Sequence, residues 1–144
     1  MLIVFDIDGT VAEISHRLHW IQTHPKNWGA FYAGIPSDNE IAPVATLARN
    51  LYSAGHRLVF CTGRDEKHRE STLTWLAIHG LEHHGLYMRP NNDRRPDNEV
   101  KLDLVNKIIV EHGRPDLVFE DRARNVSMFR SLGLICLQVA EGNF

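Results

Sequence analysis

Five short apolar runs separated by longer amphipathic stretches constrain this chain more than any other feature. They are LIVF at 2–5, LVFC at 58–61, LYM at 86–88, DLVFE at 116–120 and LICLQV at 134–139. Each is rich in β-branched or aromatic residues and largely apolar rather than alternating, the pattern of a strand buried on both faces. Between them the spacing changes to three-four. Ile41, Val44, Leu47, Leu51 and Tyr52 predict a helix over 39–54 closed by Gly55, and Leu73, Trp75, Leu76 and Ile78 one over 65–79 stopped by Gly80. Val100, Leu104, Val105, Ile108 and Ile109 predict a third over 98–112, ended by Gly113 and Pro115, and 122–132 a fourth, closed by Gly133. Strand–helix–strand alternation with five strands predicts an α/β fold, a Rossmann-like three-layer sandwich around a mostly parallel five-stranded sheet. Ligands of such sheets sit beyond the carboxyl ends of the strands, so the chemistry is sought there.

The chain's 144 residues make one ordinary domain, and no repeat or break in composition divides positions 1–144. Apolar residues at 43% and charged residues at 24% describe a folding chain rather than a disordered one. A net charge of −2 announces no nucleic-acid partner, although Arg89, Arg94 and Arg95 form a local basic cluster. Cys61 and Cys136 lie inside apolar runs, which predicts free thiols and a reducing compartment. The apolar start has no basic leader and carries Asp6 and Asp8, so it reads as neither signal peptide nor membrane span, and a cytoplasmic location is expected. Segment 11–36 is the exception to the regular pattern. It exceeds the ~2–6 residues that usually join a strand to a helix, and is read as a helix followed by an irregular flap.

The first run ends in Asp6-Ile7-Asp8-Gly9-Thr10. Residues i and i+2 of a strand face the same way, so two carboxylates start on one side, which is costly unless a cation or shared proton relieves it. A surface turn would carry the same residue types, and the apolar strand directly before them favours the functional reading. The second run ends in Thr62-Gly63-Arg64, where a hydroxyl, free backbone and a helix start near Asp65 would form an anion site or simply a good turn. Lys101 stands early in a helix, a place where lysine is usually solvated. Glu120 and Asp121 end the fourth run as a second acid pair, equally suited to capping the next helix.

In order and spacing these four motifs resemble the haloacid dehalogenase superfamily: Asp6, Asp8 and Thr10, then Thr62, then Lys101, then Glu120 and Asp121. Glu120 departs from the aspartate common in relatives. A narrower resemblance is to the 3′-phosphatase domain of phage polynucleotide kinase-phosphatases, carried by FDIDGTVA, CTGR, TWL, MRP…DRRPDNEVK, EDR and ICLQVAEGNF. The last run weighs most, because a tail has little structural reason to be shared. No GxxxxGK[ST] phosphate loop occurs, so 5′-kinase activity is not expected.

The resemblance implies a haloacid dehalogenase-like fold with a minimal cap. It also implies a Mg²⁺-dependent phosphatase in which Asp6 becomes an aspartyl-phosphate and Asp8 serves as general acid, then base. Asp6, Asp121, the Asp8 backbone carbonyl and Glu120, directly or through water, would hold the metal. Thr62, Gly63 and Lys101 would hold phosphoryl oxygens, and Thr10, Arg64 and Arg89 join them as substrate-binding candidates. The partner implied is a phosphorylated polynucleotide end, with a free nucleotide or another small phosphomonoester as the competing substrate. A non-catalytic end-binding module remains a third reading, which the presence of both Asp6 and Asp8 opposes. Trp20, Trp28, Phe31 and Tyr32 either stack on a nucleobase or pin a loop. The nine histidines have no cysteine or carboxylate partners completing a zinc pattern in the sequence.

Overall fold

A computed structural model describes residues 1–144. In chain order the strands are β1 (Leu2–Phe5), β2 (Ala12–Glu13), β3 (Asn39–Glu40), β4 (Arg57–Asp65), β5 (Leu86–Arg89), β6 (Leu117–Glu120) and β7 (Cys136–Gln138). The helices are α1 (His19–Gln22), α2 (Trp28–Ala33), α3 (Ala42–Ser53), α4 (Arg69–Ile78), α5 (Asp97–His112) and α6 (Ala123–Ser131). The five apolar runs form one sheet in the order β5-β4-β1-β6-β7, and every pairing in it is parallel. The α/β sandwich expected from the pattern is therefore present.

The first run becomes the central strand because it is apolar on both faces. Ile3, Phe5 and Ile7 pack with Ala45, Ala48, Trp75 and Leu76 of α3 and α4. Leu2 and Val4 pack with Val100, Leu104, Ile108, Val126 and Phe129 of α5 and α6. Phe5 lies in register with Phe60 and Phe119 on its two neighbours, and stacks on Phe119 at 4.5 Å between ring centres. These rings lock the strand end that carries Asp6. No helix is long and apolar enough to cross a membrane.

Three boundaries differ from the sequence reading. Asn39 and Glu40 leave the start of the helix predicted over 39–54 to pair antiparallel with β2 as β3, so α3 begins at Ala42. The second long strand runs on through Thr62, Gly63 and Arg64 to Asp65, which pairs with Arg89, and a 3₁₀ turn over Glu66–His68 precedes α4. The anion site expected at a helix start near Asp65 therefore has no helix there. Segment 11–36 is not one helix and a flap: two short helices, each too short to persist alone, are flanked by 3₁₀ turns over Ser15–Arg17 and Ile35–Ser37. Burial of Phe31 and Ile35 supplies what their length does not.

Truncating Phe5 to alanine is expected to lower stability by about 3–5 kcal/mol, read as a fall in the urea midpoint. A loss under about 1 kcal/mol would show that the stacked rings do not hold the central strand.

Candidate active site

Asp6 follows the last residue of β1, and its backbone N–H donates to Phe119 O at 2.9 Å, extending the ladder to the carboxyl edge of the sheet. The carboxylate is held on both oxygens. Thr10 Oγ1 donates to Oδ2 at 3.0 Å and Lys101 Nζ to Oδ1 at 2.6 Å. The same ammonium donates to Glu120 Oε2 at 2.6 Å. At 1% exposure Lys101 is not the solvated helix lysine that its position alone would allow. Glu120 Oε1 accepts from the amides of Asp121 and Arg122 at 3.1 Å, so both Glu120 oxygens accept hydrogen bonds. Gly9 turns the chain at φ +83°, and a Cβ there would stand 2.2 Å from Asp121 Oδ2. Only glycine lets the first turn pass so close beneath the second acid pair.

Oxygen atoms of Asp6, Glu120 and Asp121 lie within 4.8 Å of one another. Three buried carboxylates face one ammonium. Burial, and then Glu120, raise the Asp6 pKa well above the usual carboxylate range, and the same two causes push Asp121 up to about 7. Burial opposes the charge on Lys101, but Asp6, Glu120 and Asp97 together hold its pKa well above the ordinary value. An excess of negative charge on oxygen donors alone fits a hard divalent cation such as Mg²⁺, which takes one or two carboxylates together with water and phosphate. Glu120 Oε1 already accepts two bonds, whereas Oε2 accepts only from Lys101 and keeps a lone pair for such a cation.

Asp8 is turned to a different network. Arg64 Nε donates to both its oxygens at 3.1 Å and Arg17 Nη2 to Oδ1 at 2.9 Å. Both guanidinium groups are buried and share Asp38, which accepts from Arg17 Nε at 2.8 Å and Arg64 Nη2 at 3.3 Å. Trp75 Nε1 donates to the Asp38 carbonyl at 2.9 Å, tying the cluster to α4. Burial alone would raise the Asp8 pKa, yet Arg64 and then Arg17 hold it below the usual carboxylate range.

The substrate-binding candidates are placed as follows. Arg64 lines the cleft with its donors already engaged by Asp8, Asp38 and Thr72. Arg89 is likewise spent, on the carbonyls of Gly63, Asp93 and Arg95 and on Asp97, and it shapes the loop after β5 instead of presenting a free charge. Thr10 binds the Asp6 carboxylate. Thr62 is buried, and its Oγ1 accepts from the Arg64 amide at 3.2 Å. Gly63 passes so close to Asp97 that a Cβ would meet Oδ1 at 2.2 Å.

Four residues that the sequence reading passed over belong to the site: Arg17, Asp38, Asp97 and Asn125. Asp97 sits between Arg89 at 3.1 Å and Asn125 Nδ2 at 2.8 Å, with Lys101 one turn on at 3.8 Å. Its spacing from Lys101 was a legible signal; nothing local marks Arg17 or Asp38. The tail was also misjudged, because it has a structural reason to be shared. Gly142 O accepts from the Ala123 amide at 2.8 Å, and a Cβ on Gly142 would stand 2.3 Å from the Asp121 carbonyl.

The family model of the Polynucleotide kinase PNKP phosphatase domain matches residues 1–144. A protein of Autographa californica nuclear polyhedrosis virus, provisionally described as a bifunctional polynucleotide kinase/RNA ligase, is 27% identical over 132 residues, covering 90% of this chain and 18% of that protein. A chain of the Pnkp1/Rnl/Hen1 RNA repair complex superposes with a TM-score of 0.85 at 29% identity, over 99% of this chain and 43% of its own. The chain thus spans less than half the length of these relatives. A haloacid dehalogenase-like protein of Streptococcus pneumoniae, 16% identical with a TM-score of 0.68 over 95% of this chain, shares the fold.

A carboxyl group whose pKa is raised by folding binds its proton more tightly folded than unfolded. Its stabilising effect is present below the unfolded carboxylate range and is lost as pH rises through the folded value. With chelator present, the melting temperature is expected to fall as pH rises through about 7, the value of Asp121, and added Mg²⁺ to remove much of that fall. A melting temperature rising across the same range would contradict the acid cluster. Asp38→Ala leaves two buried guanidinium groups short of a partner and is expected to cost about 3–5 kcal/mol in urea unfolding. An unchanged midpoint would show that Asp8 alone neutralises both arginines.

Proposed function

The chain belongs to the Polynucleotide kinase PNKP phosphatase domain family, and from that premise we propose that it removes 3′-phosphates from polynucleotide ends through an aspartyl-phosphate on Asp6. The observation that carries this is the clamping of Asp6 between Thr10 and Lys101 beside Glu120 and Asp121, with Asp8 held separately two residues on. One Asp6 oxygen bonds to phosphorus as the bond from phosphorus to the sugar oxygen breaks, and that oxygen takes a proton from Asp8. Water then gives a proton to the Asp8 carboxylate and attacks phosphorus. The bond to Asp6 breaks and inorganic phosphate leaves.

Asp6 and Asp121 would hold Mg²⁺, which when bound would supply positive charge to neutralise the meeting of carboxylate and phosphate. At about 4 Å each opposing charge pair costs about 4 kcal/mol at an effective dielectric near 20, so the phosphate dianion cannot approach the acids unassisted. Lys101 adds a fixed positive charge, and Thr62, whose oxygen already accepts from the Arg64 amide, keeps its own proton to donate to a phosphoryl oxygen. The arginines favour ionised Asp8, the form required as base in the second step. An arriving phosphate dianion works against them by like-charge repulsion and favours the protonated form required in the first.

A cleft of about 710 Å³ opens over these residues, far more room than a phosphate group needs. That room, and relatives named for polynucleotide and RNA repair, support a polymer end over a small phosphomonoester.

With Mg²⁺, phosphate release is expected to be faster from a 3′-phosphorylated oligonucleotide than from 3′- or 5′-mononucleotides, and Asp6→Asn to reduce it to background. Faster release from mononucleotides would transfer the same chemistry to nucleotide metabolism. Turnover surviving in Asp6→Asn would remove the covalent step.

A further inference from the structure

Four aromatic residues of segment 11–36 are separated by the fold into different tasks. Phe31 is the pin: it is 5% exposed and carries the Arg17 guanidinium 4.3 Å over its ring. Trp20 is exposed, lies against His19, and is not part of the cleft wall. Tyr32 and Trp28 do line the cleft, and they form a column with His68. His68 stacks on Tyr32 at 4.2 Å between ring centres, and Tyr32 on Trp28 at 6.0 Å with 26° between the planes. The column lines the same cleft as Asp6 and Asp8. It ends in Trp28, a residue 47% exposed although its ring meets that of Phe31 edge-on at 5.7 Å.

A loop pin would bury such a ring, because covering it is the source of its stabilisation. An indole held edge-on by one aromatic and stacked on another, yet open to the cleft, is instead oriented for an incoming flat ring. The free Lys26 ammonium hovers 5.6 Å above it, at the outer limit of a cation–π contact, and is displaced without breaking an ion pair. Arg94 lines the same cleft, exposed and without an ion pair or a side-chain hydrogen bond. It is suited to a backbone phosphate farther along a strand.

Resting on the end-phosphatase reading above, we propose that Trp28 is the platform on which the nucleobase of the phosphate-bearing end stacks while its phosphate lies at Asp6. The contact is to a π-face, which every base offers, so it discriminates nucleotide ends from phosphates lacking a base rather than one sequence from another.

The test compares two 3′-phosphorylated oligonucleotides, one with an ordinary terminal nucleoside and one ending in an abasic sugar, using the unaltered chain, Trp28→Ala and Trp28→Phe with Mg²⁺. On the ordinary end, Trp28→Ala is expected to lower kcat/KM about 5- to 100-fold, mainly through KM, and Trp28→Phe to recover most of it. On the abasic end the three proteins should agree within about twofold, because neither ring has a base to meet. Equal losses on both substrates, or no loss on either, would overturn the platform while leaving the end-phosphatase reading in place. Failure of the unaltered chain to release phosphate from either oligonucleotide would overturn that reading, and the platform with it.

Discussion

The ammonium of Lys101 is the contact on which the site depends. It ties Asp6, at the end of the central strand, to Glu120, at the end of its neighbour, from a helix packed across the sheet. Without it, three buried carboxylates would face one another with no positive charge among them, and burial would drive each toward its protonated form. The surrounding constraints follow from that crowding. Gly9 has no side chain because Asp121 stands where one would go, and Gly63 has none because Asp97 does. The loop over Glu120–Arg122 is fixed from below by Glu120 itself and from above by the tail at Gly142.

A second charge cluster does the opposite work. Arg17 and Arg64 surround Asp8 with positive charge, and Asp38 balances them from behind. Two aspartates only two residues apart are thereby driven in opposite directions: Asp6 toward holding a proton, and Asp8 toward losing one. Separated roles for neighbouring carboxylates come from the company each keeps rather than from the carboxylates themselves. This division fits a nucleophile that works with a metal and an acid–base group that works without one.

Sequence reasoning succeeded where one local pattern carries one structural meaning. Apolar strands, helices closed by glycine and acids at strand ends are short-range features, and the structure contains them with boundary shifts of a few residues. It was silent where a side chain's partner lies far along the chain. Arg64 and Arg89 look alike in sequence as cations beside a phosphate site, yet both are consumed by internal acceptors. Arg17 and Asp38, separated by 21 residues, carry no mark of their pairing. The regularity of segment 11–36 was also hidden, because helices of four and six residues lack the length for a readable period and are held by tertiary burial.

The sequence by itself determined the layered α/β architecture and the placing of Asp6, Asp8, Thr62, Lys101, Glu120 and Asp121 near one edge of one sheet, because strand and helix periods and strand-end positions are local properties. Only the tertiary structure decided which charges neutralise which, which arginines remain free, and how the aromatic rings of segment 11–36 are shared between core and cleft. Those outcomes depend on distances between residues remote in sequence, and burial makes each such distance decisive by removing the water that would otherwise satisfy an unpaired group.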